Sequence, residues 1–311
     1  MAKVTRNRGV LVEIESTYGT DPTPTGAANY IRCRTLEIEP LQADTVERET
    51  IRPYFGNYDI LLANQRVQLT IEVELAGSGT AGTAPAWDPL IRSCGNSVTT
   101  VADTSVTYAP ESTTHESCTV HYFDDGIRHV VVGARGSWSL TGEVGQIPVL
   151  TFTMTGLYAT PTDNAIGSVT EQNQASPVLF KNGNTTSFEV FGFSAALQSY
   201  SFDCNNETIY RELVGGTKEV LITDRKPGGT MSVEAVALSD HNFFTDATGS
   251  STGTNTFQHG QTAGNICTFS APQTDIGTIG YEDSDGIRML SLPYVAIPTA
   301  SGNDEYSLAI T

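Results

Sequence analysis

The sequence has few cysteines, and they are far apart. The 311-residue chain contains five, and no two form a C-x-x-C pair; they are Cys33, Cys94, Cys118, Cys204 and Cys267. An odd number at wide spacing fits neither a disulfide framework nor a zinc site built from paired thiolates. We therefore expect reduced core thiols in a protein that folds in a cytoplasm.

Long hydrophobic runs are also missing. No apolar stretch approaches the ~20 residues that a membrane-spanning helix requires. The N-terminal segment MAKVTRNRGV carries basic residues but no apolar run of the kind found in secretory signals. We expect no membrane partner.

Positive charge is scarce throughout the chain. There are 17 Lys and Arg residues against 35 Asp and Glu, which gives a net charge of −18. The excess is present in both halves, with 11 basic and 19 acidic residues in 1–165 and 6 and 16 in 166–311. Such a field repels phosphate backbones and argues against a specific nucleic-acid binder.

Histidines are few and scattered, so the sequence predicts no metal site. None of the five is part of an i, i+4 pair or an H-x-H pair; they are His115, His121, His129, His241 and His259. The many carboxylates could include the acid–base pair of a glycosidase. Nothing in the sequence singles out two of them, so we predict no catalytic residue and no cofactor.

Two short motifs resemble chemical signatures but lie in the wrong context. Residues 77–82 match G-x-G-x-x-G, but Glu72 and Glu74 mark the preceding strand as half-exposed, and Pro85 and Pro89 prevent a long helix. We predict a flexible connector there. The G-x-S-x-G match at 249–253 has polar, turn-forming flanks, which favour a solvent loop over a nucleophile elbow.

Period-two alternation predicts a mainly β protein with antiparallel, half-buried strands. It is clearest in VQLTIEVEL (67–75) and VLTFTMTGL (149–157). Further strands are predicted at 9–15, 29–38, 117–123, 127–132, 135–140, 186–193, 196–203, 219–223, 229–237, 265–270 and 286–296. Hairpin turns are predicted at Asp125-Gly126, Asn182-Gly183 and Asp285-Gly286. Short helices are predicted at Asp88–Cys94 and Asp240–Ala247, and residues 160–176 are the best linker.

A weak internal repeat predicts two tandem domains. TVERE (45–49) is similar to TIYRE (208–212), and LTIEVEL (69–75) is similar to MSVEAVAL (231–238). A short helix follows each copy of the second motif. We predict two β-sandwich or barrel domains, each with one short flanking helix: 1–165, which includes an N-terminal arm, and 166–311.

Several longer stretches share a pattern with one viral family. In the first half they are VEIESTYGTDPTPTGA (12–27), LEIEPL (36–41), ERETIRPYFG (47–56), ELAGSGTAGTAPAWDPLIRSCG (74–95) and GARGSWSLTGEVGQIPVLTFTMTGLY (133–158). In the second half they are YRELVG (210–215), LITDRKPGGTMSVEA (221–235) and HGQTAGN (259–265). Together they resemble the major tail tube protein of long-tailed, siphovirus-like bacteriophages.

The resemblance implies a structural subunit without enzymatic activity. Domains of this family pack two antiparallel sheets with one helix, six domains close a ring, and stacked rings form a conduit for DNA ejection into the host. Because this chain carries two domains, we expect three copies to form a pseudo-sixfold ring. The implied partners are further copies of the chain, a tape measure protein inside the tube, tail terminator and distal tail or baseplate proteins at its ends, and DNA that passes without specific binding. The implied location is the virion tail, assembled in the host cytoplasm.

Two sets of residues are predicted to serve such a tube. If neighbouring domains pair at their sheet edges, the polar strand face lines the lumen, with candidates Glu72, Glu74, Glu234, Thr70, Ser232, Thr151, Thr153 and Thr155. Stacking between rings requires extended loops, for which we predict 43–65 and 206–224. Their candidate contact residues are Arg48, Glu49, Arg52, Tyr54, Phe55, Tyr58, Arg211, Glu212 and Lys218.

Two other functions remain open at this point. A carbohydrate-binding or adhesive β-sandwich would present a row of exposed aromatic side chains, and Tyr18, Tyr54, Phe55 and Tyr58 could supply one. A hydrolase would require two convergent carboxylates. For the N-terminal segment STYGTDPTPTG (16–26), a loop packed on its own chain and an arm on a neighbour are equally compatible with the sequence.

Overall fold

The computed structural model describes residues 3–249 and 251–311 and is mainly β, as predicted. The strands of the first half are β1 (Arg8–Ile14), β2 (Tyr30–Ile31), β3 (Thr35–Glu47), β4 (Ile60–Glu74), β5 (Asn96–Val101), β6 (Ser105–Pro110), β7 (Cys118–Asp124), β8 (Ile127–Glu143), β9 (Val149–Leu157) and β10 (Thr162–Asp163). Those of the second half are β11 (Thr185–Val190), β12 (Leu197–Asp203), β13 (Asn206–Glu212), β14 (Lys218–Arg225), β15 (Gly228–Glu234), β16 (Gly253–His259), β17 (Cys267–Ile276), β18 (Gly280–Ser284), β19 (Ile287–Ala296) and β20 (Ser307–Ile310).

One antiparallel layer runs through both halves of the chain. Its strand order is β3-β4-β9-β8-β12-β15-β19-β18, and we call it the long sheet. The halves join where β8 pairs with β12, with Ser139 opposite Asp203 and Glu143 opposite Ser199. Alternation buries one face of each strand: Ile71, Phe152 and Trp138 are buried on one side of the long sheet.

The order of strand pairing recurs in the two halves. In the first half, β1 pairs with β7 and β7 with the start of β8, which then enters the long sheet. In the second half, β11 pairs with β16 and β16 with β17, which then leads to β18. These outer strands cover the apolar face of the long sheet, which gives an arrangement consistent with a β-sandwich.

The halves nevertheless share one core. The buried apolar residues form a single cluster in which Trp138 of β8 contacts Phe202 of β12 at a ring-centroid distance of 5.1 Å. The last strand, β20, pairs with β17 on one side and with β6 of the first half on the other. A break in the core therefore does not mark the domain boundary, and the division at residue 165 stays a prediction.

Both short helices lie where they were predicted. The first, α1 (Asp88–Ser93), has Pro89 in its first turn and is followed by Gly95 at φ +72°, a left-handed conformation that glycine adopts without strain. The second, α2 (Phe243–Thr248), is shorter than predicted. It begins after Asn242, whose side chain accepts a hydrogen bond from the Thr245 N–H.

Several strands and one turn differ from the predictions. Strands β5, β6, β13, β16, β18 and β20 were missed, because polar Thr, Ser, Asn and Glu residues weaken their alternation, and the two-residue β10 lies in the segment predicted as a linker. The predicted strands 127–132 and 135–140 are one strand, β8, which bends at Gly133 (φ +62°). The Asn182-Gly183 turn precedes β11 and does not connect two strands of a hairpin.

The N-terminal segment and the linker both pack on their own chain. Glu15 anchors the start of the segment, and His121 Nε2 lies 2.9 Å from the Asp21 carboxylate. In the linker, the Gln174 side chain accepts a hydrogen bond from the Arg32 N–H, and the Ala175 N–H donates to the Gly77 carbonyl. Four of the five cysteines are buried, Cys33 is half-buried, and all five thiols are free.

Candidate assembly surfaces

The polar face of the long sheet gathers every residue predicted to line a lumen. Thr151 lies opposite Glu72 and Thr153 opposite Thr70, and Thr155 and Glu74 continue the same face. The pairing of β12 with β8 and β15 extends this face across the junction to the two remaining candidates, Ser232 and Glu234. Ser232 itself is buried, and its hydroxyl donates to the Glu282 carboxylate at 2.9 Å.

The same face carries five acidic residues that sequence reasoning missed: Glu37, Glu39, Glu143, Asp203 and Glu282. Their strands were either not predicted or not placed in the long sheet, so their common face was hidden. A shallow depression of about 490 Å³ lies on this face between β4, β8, β12, β15 and β18. Glu72, Glu143 and Glu282 line it, with Arg34 at its edge. The surface is therefore strongly acidic.

The predicted stacking loops are two β-hairpins. The first hairpin (43–65) is the end of β3, a tip and the start of β4, and the second hairpin (206–224) is β13, a short tip and β14. The long sheet consists of β3-β4-β9-β8 followed by β12-β15-β19-β18, so β3 and β12 hold equivalent positions in the two halves and run in the same direction. Each hairpin follows one of these strands, so both tips lie at the same end of the long sheet, which we call the lower end. Of the predicted contact residues, Tyr54, Phe55 and Tyr58 are exposed. Sequence reasoning missed Ile51 and Val214, which are fully exposed at the tips.

Most of the charged contact residues pair within their own hairpin, whereas Glu49 is exposed and forms no ion pair within the described residues. Arg48 lies 3.8 Å from Asp59, and the Arg52 guanidinium is 5.0 Å above the Tyr58 ring. In the second hairpin, the Arg211–Glu219 distance is 3.6 Å and the Lys218–Glu212 distance 3.0 Å. The apolar tip residues, and not these charges, are thus the side chains without a use inside the monomer.

The second hairpin is seated on the first half. The Tyr18 hydroxyl accepts a hydrogen bond from the Val220 N–H at 2.6 Å, and Arg135 donates to the Val220 carbonyl at 2.8 Å. The Arg135 guanidinium stacks 4.8 Å from the Tyr18 ring centroid. Asn206 fixes the root of the hairpin, since its amide donates to the Cys94 and Gly136 carbonyls.

Burial at this seat perturbs both of its polar side chains. Desolvation raises the pKa of Tyr18, although the Val220 N–H and Arg135 oppose it, and desolvation lowers the pKa of Arg135. Tyr18 is therefore used inside the chain as a hydrogen-bonded, half-buried residue. It does not form an exposed row with Tyr54 and Phe55, which the hypothesis of a carbohydrate-binding or adhesive protein required.

The long sheet has two open edges with opposite charge around them. Within the described residues, β3 pairs with β4 alone and β18 with β19 alone. A cleft of about 170 Å³ beside β3 is lined by Arg6, Arg8 and Arg34. Strand β18 and its turn carry Glu282, Asp283 and Asp285. Complementary charge therefore borders the two unpaired edges.

Comparison with known protein families assigns the chain. A family model described as phage tail tube protein matches residues 5–296, which is nearly the whole length. The chain belongs to the phage tail tube protein family. A comparison with curated protein sequences finds no match. A tail tube protein is a structural subunit of the virion tail that self-assembles into a tube, and the β-rich fold with its exposed edges fits that role.

In this tail tube protein, the glycine-rich connector joins the two halves. The Gly77 N–H donates to the Asn265 side chain at 2.7 Å, and the Gly79 N–H donates to the Gly264 carbonyl at 3.0 Å. A Cβ on Gly77 would lie 2.1 Å from the Gly264 carbonyl oxygen, so the two loops require glycine for their close approach. The loop is bonded to other parts of its own chain and lies between β4 and α1, where a connector was predicted.

The structure brings no other chemical site together in the part of the chain it describes. No group of three or more His, Cys, Asp or Glu side chains is arranged to hold a metal ion in residues 3–249 and 251–311. In the same residues, no helix is long and apolar enough to cross a membrane. Ser250, the central residue of the G-x-S-x-G match, lies outside the described residues.

Proposed function

We propose that three copies of this tail tube protein close into a ring whose inner wall is made of their long sheets. The observation that carries the proposal is the β8–β12 junction, where the two halves of one chain already pair edge to edge. By the recurring order of pairing, β18 and β3 occupy the positions of β8 and β12. Pairing of β18 with β3 of the next copy repeats the junction, and three copies supply 24 strands.

Closure also satisfies the exposed edges. An unpaired strand edge presents free N–H and C=O groups and promotes uncontrolled pairing, whereas a closed wall has no edge. The acidic β18 of one copy would meet the cleft that contains Arg8 and Arg34 on the next. This charge complementarity favours β18–β3 pairing over β3–β3 or β18–β18 pairing.

In the closed ring, the polar face of the long sheet lines the lumen. Glu72, Glu74 and Glu234, with Glu143 and Glu282, would repel DNA phosphates and keep passing DNA from binding. Repulsion is screened beyond ~8–10 Å at physiological salt, so it acts mainly on DNA that approaches the wall. The tape measure protein would occupy the same lumen before DNA ejection.

The hairpin tips stack one ring on the next. Both tips lie at the lower end, where Ile51, Phe55 and Val214 expose apolar side chains that have no partner role inside the monomer. Burial of such side chains against the next ring removes apolar surface from water and thereby favours association. Terminator and distal tail or baseplate proteins would cover the two end rings. Assembly takes place in the host cytoplasm, where the five thiols stay reduced.

Ring symmetry tests the proposal directly. We expect electron microscopy of the purified protein to show rings or tubes with six similar lobes, and native mass spectrometry of dissociated rings to give a trimer mass. Six copies per ring, or a monomer at every concentration, would overturn it.

A charge exchange tests the closing junction. Arg8→Glu with Arg34→Glu should prevent ring closure, because the cleft would then repel β18. Asp283→Lys with Asp285→Lys should prevent it for the same reason. The protein carrying all four changes should form rings again, because the charges are once more complementary. If this protein is folded but forms no rings, the β18–β3 junction is excluded.

A further inference from the structure

The two hairpins have equivalent strands, but only the second hairpin has a strand face covered by the rest of the chain. The similar motifs TVERE and TIYRE place Val46 and Ile209 at the same position. Val46 pairs with Leu61 and Ile209 with Leu221, so Ile60 corresponds to Val220. In the same register, Leu62 corresponds to Ile222.

These matched residues differ sharply in burial. Val220 is 0% exposed because the first half covers it, whereas Ile60 is 58% exposed. Leu62 is 44% exposed, whereas Ile222 is half-buried beside Gly95. The first hairpin thus presents to solvent the strand face that the second hairpin buries.

The backbone shows the same difference. Hydrogen-bonded and non-hydrogen-bonded pairs alternate along an antiparallel ladder. The Arg48 N–H donates to the Asp59 carbonyl, so the adjacent Glu47–Ile60 pair is the non-bonded kind, and the Ile60 N–H and C=O point away from β3. At the equivalent Val220, these outward groups are the ones bound by Tyr18 and Arg135.

We propose that the first hairpin of each copy is seated on the second half of the neighbouring copy, as the second hairpin is seated on the first half within the chain. The occupant is a second copy of this chain, and the contact is lateral, within one ring. The inference rests on the proposed ring. It adds a contact made by the strands of the hairpin near Ile60 and Leu62, distinct from the stacking contact of its tip.

The receiving surface follows from the same equivalence. Glu72 corresponds to Glu234; Glu72 pairs with Thr151 of β9, and Glu234 pairs with Met289 of β19, so Thr151 corresponds to Met289. Six residues further along each strand, Leu157, near the lower end of β9, corresponds to Val295 of β19. Val295 is 54% exposed, which is unusual for a residue of its type in a sheet interior. A neighbour seated over Val295 would cover this apolar surface together with Ile60 and Leu62.

The direction of the contact agrees with ring closure. Within the chain, the half that supplies β12 to the junction also supplies the seated hairpin. In the closed ring, the copy that supplies β3 to the junction would likewise supply the first hairpin to the same neighbour. One neighbour therefore receives both contacts, and neither contact requires a change in the other.

Cross-linking between two single variants tests the contact. Ile60→Cys and Val295→Cys proteins are prepared separately in a Cys33→Ser background, because Cys33 is the one cysteine of five that is not fully buried. They are mixed, allowed to assemble and treated with a bis-maleimide about 10 Å long. We expect a covalent dimer containing one copy of each variant in the mixed rings, and no such dimer under conditions where the protein is monomeric.

A matched control fixes the interpretation. Val101→Cys replaces a side chain of similar exposure, beside the glycine connector and away from the lower end, and should give no dimer with Val295→Cys. Rings that form without the Ile60–Val295 product, or with an equal yield from the Val101 control, would overturn the seat but leave the ring intact. Absence of rings from the unmodified chain would instead overturn the proposed function.

A second variant gives an independent measurement. Ile60→Ser with Leu62→Ser should leave the monomer folded, because both side chains are already exposed, and should reduce ring formation at least tenfold at equal protein concentration. Leu238→Ser, which alters an exposed leucine outside both hairpins, should assemble normally. Undiminished assembly of the double variant would contradict the inference.

Discussion

At the scale of single residues, Glu15 is the most heavily bonded buried carboxylate of the first half. Its Oε1 accepts hydrogen bonds from the Thr119 hydroxyl and the Gly133 N–H, and its Oε2 accepts from the Ser117 hydroxyl and the Gly19 N–H. All four distances lie between 2.6 and 2.7 Å. The carboxylate thereby holds the N-terminal segment, including Tyr18, against β7 and β8.

Glu15→Gln should lower the free energy of unfolding by about 3 kcal/mol. Each carboxylate oxygen receives a backbone N–H, so whichever oxygen becomes an amide nitrogen, one backbone donor faces another donor. Chemical denaturation measures the loss. Glu13→Gln, a half-buried position two residues earlier, should change stability by less than about 0.5 kcal/mol. Equal losses of stability in the two variants would contradict the role assigned to the hydrogen bonds of Glu15.

Buried and half-buried histidines predict a pH dependence of the free energy of unfolding. Desolvation lowers the pKa of His115, His121, His129 and His259. The unfolded chain then binds more protons than the folded chain just below the ordinary histidine pKa of about 6.5, so the free energy of unfolding should fall as pH decreases through this region. The carboxylate of Glu111, with a pKa lowered to about 2 by hydrogen bonds from Thr113, contributes only at more acidic pH.

Thermal unfolding between pH ~7.5 and ~5.5 measures this dependence. His259→Gln should give a shallower decrease than the unmodified protein, because it removes one buried group that must take up a proton on unfolding. A variant whose stability varies with pH as steeply as that of the unmodified chain would show that His259 does not contribute.

At the scale of elements, a contact between two loops adds to the strand pairing and the shared core that join the halves. The glycine connector and residues 260–265 approach so closely that Gly77 has no room for a side chain. Both segments are among the stretches that resemble the tail tube family, although Gly77 and Asn265 are 188 positions apart in sequence. The two segments that resemble the family thus meet in one contact.

Gly77→Ala should destabilise the protein by about 2 kcal/mol or more, because the added carbon overlaps the Gly264 carbonyl and the loops must separate. Gly167→Ala is the matched control, since no atom lies within 4 Å of a carbon added there. Thermal or urea unfolding should show a loss for the first variant and almost none for the second. A neutral Gly77→Ala would mean that the loops are not held at this distance.

At the scale of the whole molecule, the acidic excess has a specific location. Acidic residues from both halves converge on one face of the long sheet, although the net charge of −18 is spread along the sequence. A tube lined by this face would exclude DNA from its wall without any site for DNA. Net charge alone would also make the outer surface repel DNA, so a test must separate the two surfaces.

Glu72→Lys with Glu234→Lys should make assembled tubes retain double-stranded DNA at low salt and release it as salt increases. Asp103→Lys with Glu189→Lys changes the net charge equally at exposed positions off this face and should not retain DNA inside tubes. Nuclease protection distinguishes DNA held in the lumen from DNA on the outside. Protection in both variants, or in neither, would exclude the polar face as the lumen wall.

The sequence by itself determined the local structure of this protein. Alternation in VQLTIEVEL and VLTFTMTGL fixed two strands and their buried faces, since side chains alternate across any strand. Pro89 and Gly95 fixed the limits of α1. Within each of these strands, the polar residues share one face for the same reason.

Only the tertiary structure decided which edges meet. Strand pairing uses backbone N–H and C=O groups, which are the same in every strand. The sequence pattern therefore does not predict that β8 pairs with β12 or β20 with β6. The seat of Val220 likewise joins distant residues, since Tyr18 is 202 positions and Arg135 85 positions from Val220. The strands were local properties of the chain, whereas the continuous sheet, its open edges and its acidic face arose from long-range pairing.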